Sequence, residues 1–441
     1  MRSRWGWLVL SLGFVSGSCD SSSKRGHAGD GGTHGGSDQG VTDPGGCEGL
    51  ACYQVDCKGA PSTSVSGRVT APNGLDPVYD ALVYVPTNVP EFPQGVQCEA
   101  CNEPIGGMPV VSTHTAVDGT FTLTNVPATD GVPLIVQKGR FRRQITLNIP
   151  ACQNTALSVD QARLPRKQSE GDLPKMAVGV GDFDQIECVL RSIGIDQSEF
   201  TAPAGTGAVH LYNNSGGGIS LESMLNDATK LATYNLVFVN CTGNTFDKYK
   251  NQTLTKGNLF NYVNTGGRLY VTDWAYDYME QVPQFAPYVF FDGGGDVILP
   301  QPLGGAQSVW NGNDLNAQIS DPTLAKWMAA TNASPNGSLK IIGSWALALS
   351  TATDQTAYPS TTWVHGVAGG KDRPMTVTYD YNMCGKVLWS SYHTQEPGGG
   401  GFGSIQSFPS YCKSTPQSMI AQEKILEFLI FQISSCVGPV G

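Results

Sequence analysis

The sequence has few charged residues and no extended basic segment. Lys, Arg, Asp and Glu make up 15% of its 441 residues, and the formal net charge is −10. The densest basic stretch is only Arg140-Phe-Arg142-Arg143. A nucleic-acid groove needs a continuous basic surface, so we expect no nucleic-acid partner.

The sequence also lacks a hydrophobic run long enough to cross a bilayer. Arg2 and Arg4 precede the apolar run Trp5–Val15, and small residues then lead to Cys19. A transmembrane helix needs roughly 20 apolar residues, whereas a short apolar run after basic residues is typical of an export signal. We therefore predict a signal peptide over residues 1–19.

The residues before Cys19 resemble the lipobox of bacterial lipoproteins. Ser16-Gly17-Ser18 precedes the cysteine, and Ser16 stands where the motif usually has leucine. The resemblance implies that Cys19 is acylated and that the bacterial membrane is a partner through this lipid anchor. Ordinary cleavage after the small residues is the alternative.

A spacer without a hydrophobic pattern follows the signal. Residues 20–46 are rich in Gly, Ser and Asp, and such a segment cannot bury enough apolar surface to fold. We predict a disordered tether that holds the folded part away from the membrane. The expected location is the cell envelope, at the outer membrane or cell surface rather than the inner membrane.

Residues 47–165 contain short β-branched runs separated by Gly, Pro, Asn and Asp. Alternation such as Thr120-Phe-Thr-Leu123 gives a strand one buried and one wet face, so we predict an all-β sandwich. The order SGRVTAPNG, ALVYVP and DGTFTLTNVP resembles the carboxypeptidase regulatory-like (transthyretin-like) domain, which implies that Phe121 and Leu123 point inward. The chain has no His-x-x-Glu zinc motif with a downstream His, so no peptidase activity follows.

The chain contains 12 cysteines, and disulfides are their expected state in an exported protein. Without Cys19 an odd number remains, which leaves one thiol unpaired or misassigned. The motif Cys98-Glu-Ala-Cys101 is compatible with zinc, redox exchange or structural bridging. It lacks a second ligand pair and a following helix, so we favour structural disulfides. The disulfide candidates are Cys47, Cys52, Cys57, Cys98, Cys101, Cys152, Cys188, Cys384, Cys412 and Cys436.

Residues 166–174 are polar and end at a proline, which is typical of a linker. From residue 175 to residue 437, strand-like runs alternate with helical periods, as in Met176–Gly181 followed by Phe183–Ile193. This alternation predicts a doubly wound α/β domain with a mostly parallel sheet, closed by an amphipathic helix over Ser418–Ser434. The predicted fold class is multidomain, an N-terminal sandwich followed by this α/β domain.

Ligands of such sheets bind at the carboxyl ends of the strands. The order NLVFVN, NTGGRLYVTD and GKVLWSSYH resembles the class I glutamine amidotransferase-like fold, including its ThuA-like branch. The resemblance implies a nucleophilic Cys on the turn after RLYVTD, where this chain has Asp273 and Trp274. It also implies a general-base His at His393, with Glu396 one residue beyond the family's His-x-Glu spacing. We therefore predict a degenerate, non-catalytic relative.

The same edge carries residues for two other chemistries. Cys241 with His393 is a weak hydrolytic candidate, because an exported cysteine is a poor source of thiolate. Trp274, Tyr276 and Tyr392 are aromatic residues of the kind that suit sugar recognition. Sequence spacing does not show whether the acidic residues and His393 converge, so we predict no metal and no cofactor.

The sequence thus predicts a non-catalytic binding or scaffolding protein of the envelope, with a polysaccharide or another envelope component as ligand. The alternative is an exported hydrolase that uses His393 with acidic partners, with or without a metal. An enzyme needs His393, Glu396 and Asp273 within hydrogen-bonding reach around an open pocket. A binding module needs only exposed aromatic and amide groups.

Overall fold

The structure is a computed structural model that describes residues 47–99, 106–213, 219–241, 253–298, 306–394, 408–412 and 415–437. The predictions made for Cys19, the tether 20–46, Cys101 and Glu396 lie outside these ranges. The described part is rich in sheet, with several sheets and few helices. From Cys47 onward it belongs to one compact unit, and the domain boundary near residues 166–174 stays a prediction.

The first seven strands form a four-stranded sheet in the order β3-β2-β5-β6 and a three-stranded sheet in the order β4-β1-β7. Their bounds are Ser64–Arg68 (β1), Leu82–Pro86 (β2), Pro109–His114 (β3), Thr120–Thr124 (β4), Val132–Lys138 (β5), Phe141–Leu147 (β6) and Asn154–Ala156 (β7). Phe121 and Leu123 alternate with exposed threonines and are buried, as predicted. They share one hydrophobic cluster with Val83 and Leu134 of the other sheet.

The rest of the chain builds a ten-stranded sheet, ordered β15-β14-β17-β18-β19-β12-β11-β8-β10-β9, and a two-stranded sheet of β13 and β16. The bounds are Met176–Val180 (β8), Phe200–Thr201 (β9), Val209–Asn213 (β10), Leu236–Val239 (β11), Arg268–Thr272 (β12), Val289–Phe291 (β13), Leu315–Ile319 (β14), Ser338–Ile341 (β15), Ala348–Thr351 (β16), Thr361–Ala368 (β17), Lys371–Tyr381 (β18) and Gly385–Ser390 (β19).

The ten-stranded sheet has two halves. It is parallel from β9 through β10, β8, β11 and β12 to β19. From β19 through β18, β17 and β14 to β15 it is antiparallel. The prediction of a mostly parallel sheet is therefore met by only one half of the sheet. The carboxyl ends of β8, β11, β12 and β19 share one edge, because parallel neighbours run in the same direction.

The helices are Val159–Ala162 (α1), Ile186–Ser192 (α2), Leu221–Leu225 (α3), Ala228–Leu231 (α4), Thr253–Asn264 (α5), Asp277–Glu280 (α6), Pro322–Ala330 (α7) and Ala421–Ile433 (α8). The closing helix predicted over Ser418–Ser434 is present as α8, but it is buried almost along its whole length, polar residues included, so the solvent-exposed polar face expected of an amphipathic helix is absent. The β1–β7 segment covers its second face, where the rings of Phe141 and Phe431 lie 5.3 Å apart and Lys424 pairs with Asp76 at 2.7 Å.

Disulfides join near and distant parts of the chain. Cys47 bonds Cys52 and Cys57 bonds Cys152, whereas Cys98 reaches Cys384 and Cys188 reaches Cys412. Cys436 is also disulfide-bonded. Among the described cysteines, only Cys241 is free. Disulfides in this number are typical of an extracytoplasmic protein.

No helix in the described part of the chain is both long and apolar enough to span a membrane.

Candidate functional site

Asp273 occupies the turn directly after β12. Its φ is 42°, a left-handed conformation that Asp tolerates better than most side chains. The side chain is 0% exposed. Its two oxygens accept backbone hydrogen bonds from Trp345 at 2.8 Å and Ala346 at 2.7 Å. The carboxyl group therefore fixes the segment that leads into β16.

His393 lies beside Asp273 at the end of β19. Its Nε2 is 3.4 Å from Asp273 Oδ2, and the ring is 2% exposed. Neither ring nitrogen has a hydrogen-bond partner among the described residues, because the 3.4 Å approach is poorly aligned. Burial lowers the pKa of His393 and raises the pKa of Asp273. Burial therefore disfavours the charged form of each side chain.

Two further buried carboxyl groups adjoin the Asp273–His393 pair: Asp184, just before α2, and Glu187, within it. Asp184 Oδ1 accepts the backbone hydrogen bonds of Gln185 and Thr394, at 3.1 and 2.9 Å. Glu187 accepts hydrogen bonds from Tyr411 Oη at 2.7 Å and Asn240 Nδ2 at 3.1 Å. Burial raises the pKa of Glu187 to about 7. These carboxyl groups connect the strand ends to each other and to the residues after β19.

Cys241 follows β11 at the same edge and is buried. Its backbone N–H donates to Thr272 Oγ1 at 2.9 Å, which fixes it next to the end of β12. Burial raises the pKa of the Cys241 thiol well above its usual value, and the nearby carboxyls of Asp273 and Asp184 raise it further. A nucleophilic thiolate is therefore strongly disfavoured at this position.

The three aromatic residues predicted to bind a ligand differ in exposure. Tyr276 stacks on Phe291 with centroids 4.1 Å apart, and the Tyr392 hydroxyl lies 2.7 Å from Thr376 Oγ1. Both tyrosines are fully buried. Only Trp274 reaches the surface in part. The structure thus makes Tyr276 and Tyr392 core residues, since neither ring has a face open to a ligand.

Sequence reasoning missed the aromatic residues that this edge does expose. Phe183 is 40% exposed and stacks on His393 with centroids 6.1 Å apart. Trp345 is 38% exposed, and its indole lies against Gly312. The signal for Phe183 was its place directly after the Gly181-Asp182 strand end. Asp184 and Glu187, inside the predicted helix, gave no signal of their own.

The described residues contain no group of three or more His, Cys, Asp or Glu side chains arranged to hold a metal ion. The carboxyl edge does hold Asp184, Asp273 and His393 near one another. Both carboxyl oxygens of Asp273 and the Oδ1 of Asp184, however, already accept hydrogen bonds from backbone N–H groups of the protein.

A separate cleft of about 810 Å³ lies at the opposite edge of the sheet. Lys386, near the start of β19, is part of its wall, together with Gln432 and Ile433 at the end of α8. Helix α8 starts beside His393, where Gln422 Nε2 donates to the backbone carbonyl of His393. The helix therefore runs from the buried Asp273–His393 pair to the cleft.

No family model matches the chain, and no curated protein matches it. Solved structures show low similarity. A cytoplasmic protein of Salmonella typhimurium is 13% identical with a TM-score of 0.33, and the match covers 60% of this chain and 100% of that one. A ThuA-like protein from Bacteroides uniformis is 10% identical with a TM-score of 0.29, covering 50% and 82%. Another, from Parabacteroides merdae, is 12% identical with a TM-score of 0.30, covering 49% and 77%. Similarities at this level support no conclusion about function.

Proposed function

We propose that the chain is a non-catalytic binding or scaffolding protein of the bacterial envelope, anchored by a lipid on Cys19, whose ligand is a polysaccharide or another envelope component. The observation that carries the non-catalytic part is the position of Asp273. In the amidotransferase-like pattern this turn holds the nucleophilic Cys. Here it holds a buried carboxyl group whose oxygens are taken by the backbone N–H groups of Trp345 and Ala346.

The other nucleophile candidate at this edge is equally unsuited to catalysis. Cys241 is buried, and its pKa is raised. A cysteine nucleophile needs a lowered pKa and access to substrate. His393 is also buried under Phe183, and its low pKa suits a neutral core histidine. These properties support a domain that keeps the strand order but has no nucleophile to activate.

The proposal also includes a fold assignment for each of two predicted domains. We assign residues 47–165 to a carboxypeptidase regulatory-like sandwich, supported by the cluster that the sheets of β1–β7 share. Residues 175–437 form a degenerate amidotransferase-like domain, supported by the parallel run of β8, β11, β12 and β19. The disulfides favour a location outside the cytoplasm. The tether and the outer-membrane or surface location rest on the sequence.

An exported hydrolase is the second candidate, and one observation favours it. His393 Nε2 lies 3.4 Å from Asp273 Oδ2, and an acid beside a histidine is the arrangement of many general bases. In this alternative, His393 would activate water after a local opening moved Phe183 away. Glu396 would be the second acidic partner.

Binding and cleavage of defined saccharides separate the two candidates. The detergent-solubilised full chain is tested by calorimetry against neutral gluco-, manno-, xylo- and chito-hexasaccharides, with mass spectrometry of the recovered sugars. We expect at least one of them to bind and to be recovered intact, with equal affinity for His393→Ala. The matched control is His365→Ala, because His365 is half-exposed and pairs with Asp372. Cleavage that His393→Ala alone abolishes would instead support the hydrolase, and binding of none of the sugars would refute a carbohydrate ligand.

A further inference from the structure

Trp345 is an exposed aromatic residue at the carboxyl edge of the ten-stranded sheet, and its backbone is firmly held. Its N–H donates to Asp273 Oδ2 at 2.8 Å. Its carbonyl oxygen accepts the backbone N–H groups of Val309 and Trp310, at 3.0 and 3.1 Å. The residue is nevertheless 38% exposed. The end of β12 and the segment before β14 therefore fix the backbone of a residue whose side chain reaches solvent.

The indole of Trp345 rests on a tight turn, Trp310-Asn-Gly-Asn313. The backbone N–H of Asn313 donates to the carbonyl of Trp310 at 3.3 Å. The two central residues have positive φ, 58° for Asn311 and 72° for Gly312, as in a type I′ turn, for which Asn-Gly is a preferred pair. A Cβ atom on Gly312 would come within 2.8 Å of the indole. The absence of a side chain at Gly312 is therefore what lets the indole lie against the turn.

This packing leaves a supported aromatic ring at the surface. The turn contacts the indole, while more than a third of Trp345 stays accessible to solvent. A ring that the protein already holds in place loses little conformational entropy when a ligand packs on it. The C–H groups of a sugar ring are apolar and pack well on an aromatic surface. A polymer can lie across such a ring without an enclosing pocket.

The same turn presents amide groups beside the indole. Asn311 and Asn313 are exposed on either side of Gly312. Asn313 Nδ2 donates to the carbonyl of Trp310 at 2.7 Å, which orients this amide and leaves its Oδ1 able to accept a hydrogen bond. An amide group both donates and accepts hydrogen bonds, as the hydroxyl groups of a sugar do. The combination of an indole and two amides therefore matches a saccharide better than a purely apolar ligand.

The charged residue next to the turn already has a partner. Asp314 follows Asn313 in the chain, and its Oδ2 pairs with Lys340 Nζ at 2.7 Å. The net charge of −10 on the whole chain disfavours the approach of a polyanion. The turn therefore favours a neutral saccharide over a charged one.

Phe183, another exposed aromatic residue of this edge, has different surroundings. Its ring stacks on His393, and its neighbours in the chain are Asp182 and Asp184 rather than amides. Phe183 therefore covers the buried histidine and has no pair of amides beside it in the chain. This difference makes it a comparison for Trp345 within the same molecule.

We propose that Trp345 and the turn Asn311–Asn313 bind a neutral saccharide segment, which stacks on the indole and forms hydrogen bonds with the two amides. The inference rests on the proposed function and names the site of that function. It also gives Asp273 a positioning role, because its carboxyl group holds the backbone of the residue that contacts the ligand. His393 takes no part in this site, in agreement with the equal affinity expected for His393→Ala.

The most direct variant is Trp345→Ala, measured by calorimetry with the hexasaccharide that the detergent-solubilised full chain binds. The backbone hydrogen bonds of Trp345 do not need the indole, so the variant should fold. Its affinity should fall about ten-fold, because the ligand loses its stacking surface. Trp345→Phe should lose less, since a phenyl ring keeps part of that surface. Phe183→Ala is the matched control, and it should bind like the parent protein.

Asn311→Gly is a second, independent test. Glycine keeps the positive φ that the turn requires, so the variant removes one amide and leaves the turn in place. We expect the affinity to fall about three-fold. Asn332→Gly is the matched control, because Asn332 is also exposed, has a φ of 57° and lies after α7, outside the turn.

The outcomes separate this site from the proposed function. Unchanged sugar affinity in Trp345→Ala and Asn311→Gly would overturn the site while the binding function stands. A loss of affinity in Phe183→Ala alone would move the ligand to Phe183. If the parent protein binds none of the sugars, the proposed function and this site both fail. Self-association that Trp345→Ala abolishes, with sugar binding unchanged, would replace the saccharide with a second copy of the chain.

Discussion

Asp273 Oδ2 lies 3.4 Å from His393 Nε2 without forming an aligned hydrogen bond, and both side chains are buried. The same carboxyl group accepts two backbone hydrogen bonds from the segment before β16. Asp273 thus stabilises the structure at the turn where the amidotransferase-like pattern would place a nucleophile. Under the proposed function, the chain keeps the strand order of that pattern without its nucleophile.

Replacing Asp273 with Asn tests this structural role. Asn also tolerates the left-handed backbone, but its amide nitrogen cannot accept the hydrogen bond of Trp345 or Ala346. A buried N–H group without an acceptor costs about 1–3 kcal/mol, so the free energy of unfolding should fall by about that amount in urea titrations. Asp372→Asn, at an exposed site, should change it by less than about 0.5 kcal/mol. Equal stability of the two variants would show that Asp273 does not support this segment.

Glu187 should make stability depend on pH. Burial, assisted by Asp184, raises the pKa of Glu187 to about 7 from about 4.5 in a solvated chain. Between these values the folded state keeps a proton that the unfolded state loses, so the free energy of unfolding falls as pH rises from about 4.5 to about 7. Glu187→Gln removes the titrating group. The amide oxygen of Gln can still accept the hydrogen bond of Asn240, and its amide nitrogen can donate to the Tyr411 hydroxyl.

Relative to the parent protein, Glu187→Gln should therefore gain about 3 kcal/mol of stability between pH 4.5 and pH 7. Denaturant titrations at a series of pH values measure this gain. Glu91→Gln, at an exposed position, should follow the parent curve. Parallel curves for all three proteins would mean that Glu187 ionises normally in the folded state.

Cys241 should be the thiol that appears only on unfolding. It is buried with a raised pKa, and both properties suppress its reaction with disulfide reagents. Native protein without reductant should react slowly with Ellman's reagent, and a fast-reacting thiol should appear in denaturant. Cys241→Ala should remove that signal. Rapid labelling of Cys241 in the native protein would contradict the proposal that this position is inert.

The disulfide between Cys98 and Cys384 should contribute more to stability than the one between Cys47 and Cys52. The first closes a separation of 286 residues and the second a separation of 5, and stabilisation is expected to rise with loop length. The double variant Cys98→Ser/Cys384→Ser should lose about 2–5 kcal/mol in denaturant unfolding. Cys47→Ser/Cys52→Ser should lose less, and the reverse order would argue against this ranking.

The sequence predicts the parallel strands well because each is a short, continuous apolar run. Met176–Val180, Leu236–Val239 and Arg268–Thr272 lie where the patterns indicate them. Strand β17 was missed because irregular pairing near Val364 interrupts the alternation on which a sequence pattern depends. Strand β14 was also missed, although Leu315-Asn-Ala-Gln-Ile319 alternates regularly and could have been found.

The candidate site was harder to predict than the strands. Strand order placed Asp273 and His393 at one edge, and the structure brings them to 3.4 Å. The burial of Tyr276 and Tyr392 depends on long-range partners such as Phe291 and Thr376, which no local pattern reveals. The burial of α8 also depends on distant residues. Its polar residues suggested a solvent-exposed face, but the β1–β7 segment covers that face.

The recovery of a bound saccharide after prolonged incubation tests the central claim most directly. A hexasaccharide that binds the full chain is incubated with the parent protein and with His393→Ala, and both samples are analysed by mass spectrometry. A non-catalytic binding protein leaves the sugar intact in both samples and binds it with equal affinity. Shorter products with the parent protein and none with His393→Ala would contradict the account and identify the chain as a hydrolase.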